Sequence, residues 1–84
     1  MQGLKSMVEA VKAYVVATVK RGTEHDATQK IRKMKEVTEV LVTYGLYDLV
    51  VRIEVGSLGQ LDKIVTDIRQ MTEIKQTSTL VGTQ

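Results

Sequence analysis

The chain has 84 residues, no cysteine and one histidine, so it fits one small domain without disulfides or a cysteine-based metal site. Its net charge of +2 is mild, whereas a nucleic-acid-binding domain usually concentrates a basic excess on one surface. The first residues lack the apolar run of a signal peptide, and no segment approaches the roughly 18 apolar residues of a membrane span. These features predict a cytoplasmic protein that is stabilised by a well-patterned core, by self-association, or by both.

The first strand is predicted over residues 12–20, after a weakly periodic leader at residues 1–11, so the domain is expected to occupy 12–84. Both faces of this strand carry apolar side chains: Ala13, Val15, Ala17 and Val19 on one, and Tyr14, Val16 and Thr18 on the other. A sheet in a two-layer domain needs only one apolar face. The second face therefore predicts contact with a partner.

A first helix is predicted to follow the turn at Arg21-Gly22. Thr23 is the expected N-cap, and acidic residues at positions 24 and 26 suit the first helical turn. The helix is expected to reach residues 33–35, with an apolar stripe formed by Ala27, Ile31 and Met34.

Two further strands are predicted at residues 36–44 and 47–55. Gly45-Leu46 between them fits a two-residue hairpin loop, because glycine at the first central position suits a type II′ turn. Alternation in the earlier strand places Val40 and Val42 on one face, and Val37, Glu39, Leu41 and Thr43 on the other.

The second helix has the clearest start and the widest apolar stripe. Ser57 and Gln60 form a capping-box pattern. The stripe that follows contains Leu58, Leu61, Ile64, Val65, Ile68 and Met71. A last strand over residues 73–81 is expected to place Ile74 and Leu80 on one face, and Thr77, Thr79 and Val81 on the other.

The predicted order of strand, helix, strand, strand, helix, strand is the ferredoxin-like βαββαβ pattern of the α+β class. It implies a four-stranded antiparallel sheet with both helices on one face. The other face is left bare, although covering one valine or leucine contributes roughly 1.5–3 kcal/mol. A dimer through the two bare faces is the simplest expectation.

The residues do not indicate an enzyme, a cofactor or a metal site. His25 is the only imidazole and is expected to be a solvated residue at the start of the first helix. The chain has no Gly-rich phosphate loop and no nucleophile elbow. RNA-binding modules of this fold stack bases on aromatic side chains, and this chain has no Phe or Trp, so no direct nucleic-acid binding is expected. Asp48, in the hairpin, either binds backbone N–H groups or pairs with a ligand ammonium.

Two segments resemble the effector domain of the Lrp/AsnC family, also called the RAM module for regulation of amino acid metabolism. The run at residues 42–51 matches the family hairpin through Gly45, Tyr47 and Asp48. The terminal run at residues 73–81 matches the family's last strand, with its Thr-any-Thr-Leu pattern. Together with the element order, the resemblance covers about residues 12–82.

This resemblance implies dimers through packed sheets, often assembled into rings, with an amino acid or similar small effector bound between dimers near the hairpin. It implies that Asp48 pairs with the effector's ammonium, while backbone N–H groups near Gly45 take its carboxylate. Tyr44 replaces the threonine of many members, which reshapes the pocket. The effector-binding residues implied in this chain are Tyr44, Gly45, Leu46, Tyr47, Asp48, Thr77 and Thr79.

Full-length members of the family carry an N-terminal helix-turn-helix, which needs about twenty residues. Only eleven residues precede the first predicted strand, so the chain is expected to be a stand-alone module without a DNA-binding domain. The leading hypothesis is a transcription-regulatory module that senses an amino acid, joins full-length Lrp/AsnC regulators in mixed oligomers, or does both. The alternatives are a purely structural oligomerisation module without an effector and, third, a small dimeric α+β-barrel enzyme.

Overall fold

The computed structural model describes residues 10–82 and confirms the predicted βαββαβ order. Its elements are β1 (Val11–Val19), α1 (Glu24–Arg32), β2 (Val37–Val42), β3 (Leu49–Val55), α2 (Leu58–Arg69) and β4 (Ile74–Val81). The first nine residues of the predicted leader lie outside the described part of the chain. Val11, the last residue of that leader, belongs to β1.

The four strands form one antiparallel sheet in the order β2-β3-β1-β4. Val15, in the middle of β1, lies opposite Val51 of β3 and Thr79 of β4. Alternate residues of the two central strands are buried with Ile31 of α1 and Ile68 of α2 in a single core. Both helices therefore cover the same face of the sheet, as the ferredoxin-like pattern predicts.

The two helices begin differently. Ser57 Oγ accepts the backbone N–H of Gln60 at 3.2 Å, which confirms the N-cap half of the predicted capping box. The Gln60 side chain accepts the N–H of Gly56, the residue before the N-cap, at 2.7 Å. The Thr23 side chain makes no capping hydrogen bond to α1; its hydroxyl donates instead to the carbonyl of Lys20 at 2.7 Å. Within the described residues, neither helix has the length and apolar content that crossing a membrane requires.

Two register shifts correct the strand faces predicted from simple alternation. In β2 the pairing shifts between Val37 and Glu39, so Val37 lies opposite Ile53 on the helix side of the sheet. Near the start of β4 the pairing shifts as well, and Ile74 lies opposite Val19 in the core. An extra residue in one strand reverses the alternation on either side of it. The prediction that Val37 lies with Leu41, and Ile74 with Leu80, was therefore wrong.

The hairpin between β2 and β3 is longer than the predicted two-residue loop. The strands end at Val42 and resume at Leu49, and the N–H of Thr43 donates to the carbonyl of Asp48 at 2.9 Å. Asp48 also donates its own N–H to Ala17 of β1 at 2.8 Å. Thr43 and Asp48 therefore close the hairpin, and the loop consists of the four residues 44–47 instead of Gly45 and Leu46 alone.

Candidate functional site

An open groove of about 420 Å³ lies where the β2–β3 hairpin meets the start of β4. This volume falls within the range of small-molecule sites. Ala17 explains how distant segments meet there, since it lies opposite Leu49 on one side and Thr77 on the other. The groove is lined by Tyr47, Arg69, Ile74, Lys75, Gln76, Thr77 and Ser78.

The groove is cationic. Arg69 and Lys75 are exposed, and neither forms an ion pair or a side-chain hydrogen bond with a described residue. The other polar lining residues are neutral, and no carboxylate lines the groove. Sequence reasoning missed Arg69, because a basic residue in the last turn of a helix has an ordinary explanation in the helix dipole.

The structure brings together two of the seven predicted site residues, Tyr47 and Thr77, as lining residues of this groove. Thr79 lines a neighbouring depression of about 320 Å³ between α2 and β4, which shares Arg69 with the groove. Thr79 is therefore adjacent to the groove rather than inside it.

The hairpin tip lies outside the groove. Tyr44 and Leu46 are 103% and 82% exposed, so both side chains stand in solvent. Gly45 between them has a φ of +113°, a conformation that glycine adopts without a Cβ penalty. None of the three lines the groove of this protomer.

Asp48 has a definite partner in the backbone. Its Oδ2 accepts the N–H of Val19 at 2.8 Å in a partly buried position. Of the two roles that spacing left open for this carboxylate, the structure contains the bond to backbone N–H. That bond also fixes the adjacent Tyr47 beside the start of β4.

A buried carboxylate stands immediately before the groove in the sequence. Glu73 Oε2 accepts from Lys30 Nζ at 2.5 Å, which ties α1 to the start of β4. The hydrogen bond from Lys30 is the main cause that holds the pKa of Glu73 below its ordinary value of 4.5. The carbonyl of Glu73 also accepts the N–H of Lys20 at 2.8 Å. Glu73 is therefore a structural anchor for the strand that forms one wall of the groove.

The second candidate surface is the sheet face that the helices leave uncovered, here called the open face. Its most exposed apolar side chains are Tyr14, Leu41 and Leu80, at 45%, 49% and 57%. Strand register places Leu41, Val50 and Val16 side by side across three strands, so the apolar groups are contiguous. The open face in the structure is the second apolar face that the sequence predicted.

A polar cluster flanks these apolar groups on the open face. Arg52 contacts Glu54 at 2.7 Å and Thr38 at 2.9 Å, and it lies opposite Tyr14 of β1. Tyr14 and then Glu54 raise the pKa of Arg52. The partners of Arg52 lie in the same sheet, so this cluster forms its hydrogen bonds within the protein. It lies beside the apolar strip of the open face.

His25 lies at the exposed start of α1, as predicted, with its Nε2 3.5 Å from Nε2 of Gln29. Among residues 10–82, no group of three or more metal-ligating side chains comes together.

The comparisons with known proteins agree with this fold. The model of the Lrp/AsnC ligand binding domain matches residues 12–83. The chain is 39% identical to the protein in the crystal structure of FFRP-DM1, with a TM-score of 0.84, over 87% of this chain and 99% of that one. It is 26% identical to AsnC of E. coli, with a TM-score of 0.86, over 95% of this chain and 55% of AsnC.

A transcriptional regulator from Neisseria meningitidis, solved as a complex with L-Met, has the same fold at 12% identity, with a TM-score of 0.81. The alignment covers 95% of this chain and 54% of that regulator. No curated protein matches the chain. Since the family model spans nearly the whole sequence, the chain belongs to the Lrp/AsnC ligand-binding domain family.

Proposed function

We propose that this domain is a cytoplasmic, transcription-regulatory module that binds an amino acid or a similar small effector and transmits binding through its assembly state. The observation that carries the proposal is the groove, which unites Tyr47 of the hairpin with Thr77 of β4 in a space of small-molecule size. These two residues come from the two segments that resemble the family's effector site.

The family and a protein of the same fold both support this effector class. The regulator from Neisseria meningitidis was solved with L-Met, which makes a free amino acid the natural first ligand to test here. We assign the ligand to the groove and not to the hairpin tip, because the side chains of Tyr44 and Leu46 are exposed and do not line the groove.

The open face supports the assembly half of the proposal. Leu41, Val50 and Val16 form a contiguous apolar strip across the sheet, and Leu80 lies exposed on β4. Each such side chain contributes roughly 1.5–3 kcal/mol when it is covered. A symmetric dimer covers two strips with one interface. The same face offers full-length Lrp/AsnC regulators a place to join this chain in mixed oligomers.

Ligand binding changes assembly only if the ligand binds one assembly state more tightly than another. β4 provides a physical link, since its residues 74–78 line the groove and two of its residues, Ser78 of that lining and Leu80, lie on the open face. We therefore propose that the effector shifts the distribution of dimers and larger rings.

Calorimetry with each of the twenty amino acids tests the sensing function. We expect heat of binding with at least one, and loss of that heat in Tyr47→Ala. Tyr44→Ala is the matched control, because it removes the same side chain from the exposed tip and leaves the groove intact. Binding that survives Tyr47→Ala would place the effector elsewhere.

The open face favours one alternative, a purely structural oligomerisation module. Sedimentation of the same samples separates the two functions. A dimer that gives no heat with any amino acid would support the structural module and overturn the sensing of the twenty amino acids. We assign no catalytic step to the domain.

A further inference from the structure

We infer that the groove selects a small organic ligand with two anionic groups (a dianionic ligand), such as a dicarboxylic acid, over amino acids whose side chains are neutral or cationic. This inference rests on the proposed function and names the ligand class of the same site. Its first support is charge, since Arg69 and Lys75 line the groove without an acidic partner among the described residues. A guanidinium binds a carboxylate through two parallel hydrogen bonds, which makes Arg69 the strongest anion-binding group there.

The acids nearest the groove in sequence are already engaged. Asp48 binds the N–H of Val19, and Glu73 binds Lys30. A ligand ammonium in the groove therefore meets two cations and no carboxylate of the lining. A single carboxylate on the ligand leaves one of the cations uncompensated, whereas a second acidic group balances it.

The remaining lining residues also favour a polar ligand. Tyr47, Thr77 and Ser78 offer hydroxyl donors, and Gln76 offers an amide. Ile74 is the one apolar residue of the lining, and it is buried against Val19. A leucine- or methionine-like side chain finds little apolar surface there, while acid oxygens find several donors.

Calorimetry with L-glutamate and L-glutamine gives the sharpest comparison, because the two differ by one charge at nearly the same shape. We expect L-glutamate to bind at least about tenfold more tightly, the effect of one additional hydrogen bond to a charged group. Added salt should weaken L-glutamate binding more than L-glutamine binding. 2-Oxoglutarate and O-phospho-L-serine identify whether the second anion is a carboxylate or a phosphate, and tight binding of either supports the inference.

Arg69→Gln removes the guanidinium and keeps a polar side chain. We expect it to weaken L-glutamate binding by about tenfold or more and to remove most of the preference for L-glutamate over L-glutamine, because Lys75 is then the one cation left in the lining for two acidic groups. Arg32→Gln is the matched control, because it removes the same charge near β2, at the edge of the sheet opposite β4, where Arg32 donates to the carbonyl of Val40. If both variants unfold at the wild-type temperature, the loss of L-glutamate binding in Arg69→Gln is due to the missing guanidinium and not to a destabilised fold.

Tighter binding of L-glutamine, L-leucine, L-methionine or L-lysine, abolished by Tyr47→Ala, would overturn the dianion inference while the sensing function stands. Equal loss of L-glutamate binding in Arg69→Gln and Arg32→Gln would overturn it too, because the effect would then be one of overall charge. No binding of any of these compounds would overturn the sensing function and the inference with it.

Discussion

Asp48 Oδ2 accepts the backbone N–H of Val19 at 2.8 Å, so a loop side chain ties the β2–β3 hairpin to the last residue of β1. The backbone of Asp48 adds two more bonds, one donated to Ala17 and one accepted from Thr43. Three contacts from one residue hold the hairpin and the edge of the groove in a fixed relation.

Asp48→Ala is expected to destabilise the fold. It leaves the partly buried N–H of Val19 without its acceptor, which costs about 1–3 kcal/mol of unfolding free energy. Asp48→Asn keeps an acceptor oxygen and is expected to lose less. Urea unfolding followed by circular dichroism measures both. Full stability of Asp48→Ala, combined with lost effector binding, would instead support the ammonium-pairing role implied by the family resemblance.

Stability is expected to fall in acid partly through Glu73. Its pKa is lowered in the folded chain, mainly by Lys30, so its contribution is present above the ordinary value of 4.5 and is lost as pH falls below that value. Glu73→Gln should therefore lose less unfolding free energy than the wild type between about pH 7 and about pH 3. Asp67→Asn, which removes an exposed partner of Lys63, is the control and should follow the wild type. Parallel curves for Glu73→Gln and wild type would contradict this role.

Leu80→Asp is expected to convert the proposed dimer into a folded monomer. The substitution places a charge on the open face, where a second copy would otherwise cover Leu80. Sedimentation equilibrium measures the change, and circular dichroism verifies the fold. Leu58→Asp is the control, because Leu58 is an exposed leucine at the start of α2, on the other side of the sheet from the open face. This variant should leave the dimer intact. A wild-type chain that sediments as a monomer at micromolar concentration would remove the basis for this interface.

Two glycines are expected to respond to alanine in opposite directions. Gly45 has a φ of +113°, so Gly45→Ala strains the hairpin loop and costs about 1–2 kcal/mol, although no atom obstructs the new methyl group. Gly59 lies in α2, where the new methyl group would sit 3.8 Å from Ser57 Oγ. Gly59→Ala should therefore stabilise the chain, by about 0.5–1 kcal/mol. Thermal unfolding measures the stability of both variants. Destabilisation by Gly59→Ala would contradict the expectation that helix propensity decides the effect of this substitution.

The element order and the core were readable from the sequence because long apolar patterns specify them. The stripe of α2 is buried at Leu61, Ile64 and Ile68, although Leu58 at its start is 63% exposed. Ser57 caps the helix as predicted, by accepting the N–H of Gln60. The strict alternation in β3 buries Leu49, Val51 and Ile53, as a half-buried strand should.

Local irregularities limited the prediction of strand faces. An extra residue in the ladder is invisible to a pattern of period two, so Val37 and Ile74 were placed on the wrong face. The predicted length of the β2–β3 loop was wrong for another reason. Gly45-Leu46 fits a tight turn locally, but the bonds of Asp48 to β1 fix the hairpin further along the chain.

The candidate site was only partly predictable. Tyr47 and Thr77 were identified through the family resemblance and meet in the groove, whereas Arg69 and Lys75 carry no local signature. A groove formed by the end of a helix and the start of a strand depends on how those elements pack. That information lies in the tertiary contacts and not in the spacing along the chain.

Both register shifts fall on the outermost strands of the sheet, at Thr38 of β2 and Lys75 of β4. Bulged margins that carry charged groups such as Glu39 and Lys75 are poor templates for adding another strand. Copies of this chain are thereby discouraged from growing into fibrils by lateral hydrogen bonding. The open face is then the surface left for contact between copies in the dimer proposed above.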